Sequence, residues 1–289
     1  MNSSPPVKPI VQAPLKLNEP RERLRLRLLF SYDGTAYRGW QRQTQVRNTI
    51  QETMESALSR LFNDRLHCVA SGRTDAGVHA RIQVAHSDVP HAAAERLVLS
   101  GRLVHALNSI LPATIRVLDA HPVSFKFHAR KGVERKTYLY FIDTTPIQWP
   151  AVRQYTWSLR LPLNWSAIEQ ATLDLNGTHD FKAFCDADST VKTTERTLFE
   201  AYWGDVSDAA LSFAGPGLPQ RTKVLRLTGN GFLKHMVRSI VGTLIKIGQN
   251  QAPPGLVASL LANPTLRRQA GPTAPAHGLW LWDIRYDKT

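Results

Sequence analysis

Apolar and polar residues alternate over Leu24-Arg25-Leu26-Arg27-Leu28, the period of a strand with one buried face. The period then lengthens: Ile50, Met54, Ala57, Leu58, Leu61 and Phe62 fall on one side of a 3.6-residue helix. In front of them Thr49-Ile50-Gln51-Glu52 is a capping-box pattern, Thr49 as cap and Glu52 reaching back. Residues 67–71 read as a strand, residues 72–77 as a glycine-bounded turn, and residues 81–86 as a second strand. A helix over roughly 92–110 carries Leu97, Val98, Val104 and Leu107 on its apolar side. Pro112 ends it, and β character resumes over 114–119. The order β-α-β-β-α-β predicts a ferredoxin-like split unit, an antiparallel sheet with helices on one face.

The second half is similar in kind. Residues 135–143 predict a strand with Tyr138 and Tyr140 on one face and Leu139 and Phe141 on the other. Asn164 caps a helix bearing Trp165, Ile168, Ala171 and Leu175. Strands are expected over 197–203 and 224–227. Residues 232–247 predict an apolar helix with Leu233, Val237, Ile240, Val241 and Leu244 in one stripe, and residues 279–286 a closing strand. The fold class is therefore α+β, with a proline-bearing leader over 1–22 and halves over 23–130 and 131–289.

Composition narrows the function classes. The 289 residues are 43% hydrophobic and 20% charged, ordinary for a folded protein. Thirty-six Lys and Arg against 23 Asp and Glu leave a net charge of +13, spread along the chain rather than gathered in a tail. That balance suits a folded surface facing a polyanion. Cys68 and Cys185 stand far apart with no C-x-x-C pair, which argues against a zinc site or disulfide scaffold and for a reducing, cytoplasmic setting. No apolar run reaches the length of a membrane span, and no secretory signal opens the chain.

The usual phosphate-loop, metalloprotease and dinucleotide motifs are absent, so any chemistry rests on side chains without a cofactor or metal. The densest polar cluster is Ser71-Gly72-Arg73-Thr74-Asp75-Ala76-Gly77-Val78-His79-Ala80, where Arg73 and Asp75 can project from one loop. Local pattern alone favours a hairpin turn in which Asp75 bonds its own backbone.

The cluster from Gly72 to Ala80 resembles the signature of the TruA family of tRNA pseudouridine synthases. So, in order, do Tyr32-Asp33-Gly34-Thr35-Ala36-Tyr37-Arg38-Gly39-Trp40-Gln41-Arg42-Gln43, Leu107-Asn108-Ser109-Ile110-Leu111-Pro112, Phe127-His128-Ala129-Arg130 and Thr137-Tyr138-Leu139-Tyr140. His179-Asp180-Phe181, Gly231-Phe232-Leu233-Lys234-His235-Met236-Val237-Arg238 and Thr273-Ala274-Pro275-Ala276-His277-Gly278-Leu279 complete the series. The resemblance covers about residues 24–287. It implies two ferredoxin-like halves forming one catalytic domain around a basic cleft, usually in a homodimer. It further implies that uridine at positions 38 to 40 of the tRNA anticodon stem-loop is the substrate. By motif position Asp75 matches the catalytic aspartate, Tyr138 the active-site tyrosine and Arg238 the arginine that pairs with the aspartate. Arg73 joins Asp75 and Arg238 as a catalytic candidate, from the same loop as Asp75. Lys131-Gly132-Val133, Thr114, the leader and a loop insertion over 215–220 depart from the family pattern.

Two rivals remain on sequence. A non-catalytic RNA-binding protein would use the same sheet and charge. A glycoside-type hydrolase would need a second acid near Asp75, for which Asp88 is the candidate.

Overall fold

The computed structural model describes residues 22–186, 191–206 and 221–287. All but the last residue of the expected leader, and the 215–220 insertion, lie outside them. The architecture is α+β, with almost entirely antiparallel strand pairing. The chain divides into two compact units: one runs up to Glu134 and takes back the chain from Asp283, and the other is Arg135–Trp282.

In the first unit β1 (Arg23–Tyr32) lies between β3 (His79–Pro90) and β4 (Ile115–Pro122), antiparallel to both. A short β2 (Val69–Ala70) takes the other edge of β3. Leu26, Leu28 and Phe30 are fully buried, as are Ile50, Met54 and Leu58 of α1 (Ile50–Phe62). Burying such a side chain contributes about 1.5–3 kcal/mol, so these alternating and helical stripes are the core of the unit.

Three local expectations are corrected here. Thr49 does cap α1, accepting the Glu52 N–H at 3.3 Å, but the Glu52 carboxylate reaches back to the Asn48 N–H at 3.0 Å. Asn48 presents that N–H from a left-handed turn at φ 67°. The strand expected over 67–71 shrinks to two residues, because Ser71 already turns into the polar loop. The helix expected over 92–110 is two, α2 (His91–Leu99) and α3 (Leu103–Ile110). Gly101, at φ 65°, ends the first: its N–H donates to Val98 O and the Arg102 N–H to Leu97 O. Those two bonds form a Schellman stop, which an isolated glycine inside an apolar period can set up.

In the second unit the strand order is β5 (Val133–Asp143), β9 (Thr222–Gly229), β8 (Glu195–Asp205) and β7 (Gly177–Asp180), each antiparallel to the next. The two-residue β6 (Trp157–Ser158) runs parallel to β5. Leu139 and Phe141 pack with Val224 and Trp282 in a buried cluster, while Tyr138 and Tyr140 face the other way, as the alternation requires. Asn164 caps α4 (Trp165–Leu173) through the Ala167 N–H. Helix α5 (Met236–Gly248) starts four residues later than its apolar period suggests, because His235 takes φ 63° and breaks the turn. A short α6 (Leu256–Ala262), without a counterpart in the sequence reading, follows. The last strand, β10 (Leu279–Tyr286), has the predicted bounds; its first four residues belong to the second unit and its last four to the first.

Candidate active site

The loop between β2 and β3 carries Arg73 and Asp75. Its backbone is tied to the segment that follows β1. The Trp40 N–H donates to Thr74 O at 3.0 Å, and the Gly77 N–H donates to Tyr37 O at 3.2 Å. Thr74 is also held from its side chain, by a 2.8 Å hydroxyl–hydroxyl bond to Tyr32. Full burial pushes the Tyr32 phenol up to about 12, so this bond is between neutral groups at working pH.

Two glycines permit the approach. Gly39 sits at φ 85°, and a Cβ there would stand 2.7 Å from Thr74 O and 3.1 Å from both Asp75 C and Ala76 N. A Cβ on Gly34 would overlap the Val78 carbonyl. The far end of the loop is anchored by His79, fully buried, which accepts the Gly34 N–H at 3.1 Å and lies 3.2 Å from the Asp33 carboxylate. The near end is anchored by Gln83, which accepts from Ser71 Oγ at 2.7 Å and donates to Gly72 O at 3.1 Å. Between these anchors Asp75 is half-buried and Arg73 is exposed. A half-buried carboxylate on a pinned loop is placed to meet a ligand in a fixed orientation.

Asp88 does not serve the hydrolase reading. It stands nine residues along β3 from His79, about 30 Å at the rise of an extended strand. There it pairs with Arg25 at 2.6 and 2.8 Å, which holds its carboxyl below the usual carboxylate range. Paired glycosidase carboxyls stand about 5–9.5 Å apart.

Tyr138 and Arg238 belong to the second unit. Tyr138, buried on β5, meets the Phe232 ring edge-on at 4.8 Å. Arg238 lies in the first turn of α5 and is half-buried. Its Nε donates to Ala274 O at 2.7 Å, and the Ala274 N–H donates back to Arg238 O at 3.1 Å. This reciprocal pair fixes both the backbone and the head group of the arginine. The strap that carries Ala274 is pressed onto its supports. A Cβ on Gly242 of α5 would overlap the Pro272 carbonyl, and one on Gly271 would overlap Gly242. At the other end Tyr140 donates to Pro275 O at 2.8 Å, and a Cβ on Gly278 would stand 2.7 Å from the Tyr140 ring. Burial pushes the Tyr140 phenol well up, opposed by the nearby Arg238 charge.

The structure thus sets Arg73 and Asp75 on one loop of the first unit, and Tyr138 and Arg238 in the second. The motif from Thr273 to Leu279 has no role that its pattern alone assigns; together with Gly271 and Pro272 before it, its small residues and prolines suit a strap laid close against a helix. Among the described residues no group of three or more His, Cys, Asp or Glu is placed to hold a metal ion, and no helix is long and apolar enough to cross a membrane.

A profile of the tRNA pseudouridine synthase family matches residues 28–130 and 171–287. The chain is 40% identical over 266 residues to tRNA pseudouridine synthase A of Bacillus pumilus, covering 91% of this chain and 100% of that one. It is 41% identical over 263 residues to the Moorella thermoacetica protein of the same name, covering 90% and 99%. The Bacillus subtilis counterpart is 39% identical over 266 residues, covering 91% and 100%. With both units matched along nearly the whole length of these relatives, the chain belongs to the tRNA pseudouridine synthase A family, isomerases that convert uridine to pseudouridine.

Proposed function

We propose that the protein isomerises uridine at positions 38 to 40 of the tRNA anticodon stem-loop, with Asp75 as the attacking carboxylate and no cofactor. The observation that carries the assignment is the fixation of the Asp75 loop: the Trp40 N–H on Thr74 O and the Gly77 N–H on Tyr37 O bracket a half-buried carboxylate. A plain hairpin turn has no need of a second segment pressed onto its backbone.

The reaction breaks the C1′–N1 bond, turns the uracil, and joins C1′ to C5. The proton at C5 is lost and N1 gains one, so the product is an isomer and no electrons are exchanged. Attack on C1′ of the sugar or on C6 of the base both demand an ionised carboxylate. The reading gives Arg238 the part of keeping that carboxylate ionised, as a guanidinium does for a carboxyl away from water. It gives Tyr138 contact with the uracil, through its ring or its hydroxyl. Arg73, exposed on the Asp75 loop, is assigned to the RNA backbone or base beside the target.

Each half is read as a ferredoxin-like unit, for which the order β4-β1-β3-β2 in the first speaks. The protein is read as a cytoplasmic homodimer. Tritium at uracil C5 tests the activity, because joining C1′ to C5 expels it. An unmodified tRNA transcript labelled at C5 should release tritium with the wild-type protein and none with Asp75→Asn. Mapping should place the product at positions 38 to 40. Release by Asp75→Asn at the wild-type rate refutes the aspartate, product elsewhere in the tRNA refutes the positions, and binding without release leaves the RNA-binding rival.

A further inference from the structure

Arg238 is held from the strap side by Ala274, but the start of its helix is set by a residue in an unfavourable conformation. His235, the residue before α5, has φ 63° and ψ −2°, a left-handed geometry that side-chain-bearing residues seldom take. It is not an idle position. Its carbonyl accepts the Ser239 N–H at 2.9 Å, the first bond of the helix, and the Met236 N–H beside it donates back to Leu233 O at 3.1 Å. The φ of His235 therefore sets the direction in which α5 leaves, and Arg238 is in its first turn.

A strained backbone persists only where neighbours hold it. Here the neighbour is Asp186, which follows the short 3₁₀ turn Phe181–Phe184. Its N–H donates to Lys234 O at 3.1 Å. Its carboxylate oxygen lies 2.7 Å from Lys234 Nζ and 3.3 Å from His235 Nδ1. One residue thus grips the backbone of position 234 and the side chains of 234 and 235, at the left-handed residue and the one before it. Lys234 is half exposed, so the ion pair by itself is worth little. The combination of a backbone bond with two side-chain contacts at a single turn is what a clamp requires.

We propose that Asp186 is a positioning residue for Arg238: it locks the left-handed turn at His235 and so fixes the first turn of α5. This rests on the reading of Arg238 given above. The effect belongs to the chemical step, since Arg238 acts on the reacting carboxylate and not on the bulk of the RNA.

The test compares Asp186→Ala with the double variant Asp186→Ala/His235→Gly, using single-turnover tritium release and tRNA affinity on the full-length protein. Asp186→Ala should lower the rate about tenfold, with affinity within about threefold. Amide exchange at Met236, Val237 and Arg238 should quicken. Glycine adopts φ 63° without a steric cost, so the double variant should regain most of the lost rate. Should Asp186→Ala melt too low to assay, Asp186→Asn takes its place in the same comparison: like alanine it keeps the backbone N–H, and it removes the charge that faces Lys234 and His235. An Asp186 variant that turns over like wild type overturns the proposal. So does a loss that glycine at 235 fails to restore, which would make His235 or Asp186 act otherwise. A wild-type protein that releases no tritium, or an Arg238→Met variant of full activity, instead overturns the reading of Arg238 on which it stands.

Discussion

Replacing Gly39 with alanine puts one methyl group against the backbone that carries Asp75. At φ 85° a non-glycine residue is disfavoured by about 1–2 kcal/mol. The new Cβ would also stand 2.7 Å from Thr74 O, a backbone atom that cannot swing aside as a side chain does. Restoring an ordinary contact of 3.4 Å moves that carbonyl by about 0.7 Å. The move lengthens the Trp40–Thr74 bond, whose net worth is about 1 kcal/mol. Stability should therefore fall by about 2–3 kcal/mol, seen as a drop in melting temperature of about 5–10 °C. Activity should suffer more than stability. A misplacement of about 1 Å costs on the order of a hundredfold in a positioned reaction, so a shift of this size predicts a rate ten- to a hundredfold lower. Binding, spread over many phosphates, should stay within about threefold. Single-turnover tritium release and tRNA affinity, measured well below the melting temperature, separate the two effects. Gly39→Ala at the wild-type rate with an unchanged melting temperature would show that the contact does not hold the loop.

Asp75→Asn should abolish product while tRNA affinity stays the same or rises, because the amide keeps the size and removes an anion near the RNA; joint loss of binding and folding would make Asp75 a turn residue. Affinity should fall steeply between low and physiological salt, and a flat response would argue against a broad phosphate-binding surface. Thr222→Val should stabilise by about 1 kcal/mol in a thermal melt, since the buried Thr222 hydroxyl has no hydrogen-bond partner among the described residues; destabilisation would mean that it has one. His86 is pushed down to about 4, first by burial and then by Arg25 and His128, so the unfolded chain takes up its proton before the folded one. Its contribution is complete above the unfolded value near 6.5, and up to about 3 kcal/mol is lost as pH falls from there to about 4. Chemical unfolding at several pH values should show that slope in the wild type and a shallower one in His86→Gln.

Much of the fold could be read from period alone. β10 has its predicted bounds, and the faces of β5 and the stripe of α5 follow from alternation and spacing. Two of the misses share a cause: each was decided by one residue in a left-handed conformation. Gly101 cuts an unbroken apolar pattern into two helices, and an isolated glycine can be tolerated in a helix as well as end one. His235 delays α5 although Leu233 continues its stripe, and nothing local says so. Asp186, far back in the chain, holds that turn. The candidate site was proposed from the sequence in another way. The local pattern of residues 71–80 favours a turn, and only the series of motifs in order raises Asp75 above it. That Tyr37 and Trp40 grip the Asp75 loop lies beyond any periodicity, because it depends on two loops meeting backbone to backbone.

Both proposed active-site supports use the same physical device. The Asp75 loop meets the segment from Gly34 to Trp40, and the strap that holds Arg238 meets α5 at Gly242 and Gly271; in each case the contact is backbone on backbone, with glycines removing the Cβ that would keep the chains apart. A backbone contact places a side chain more firmly than packing between flexible side chains, because the peptide has no rotamers to relax into. It also divides the labour of the sequence. Glycines and small residues fix where a functional group starts from, and the group itself is free to be chosen for its chemistry. On this view most residues around Asp75 and Arg238 carry no reactive atom: Gly34, Gly39, Gly242 and Gly271 are there to let the chain come close. Substitutions at those glycines should therefore lower the rate in step with the displacement they force, whereas Asp75→Asn lowers it with no displacement at all.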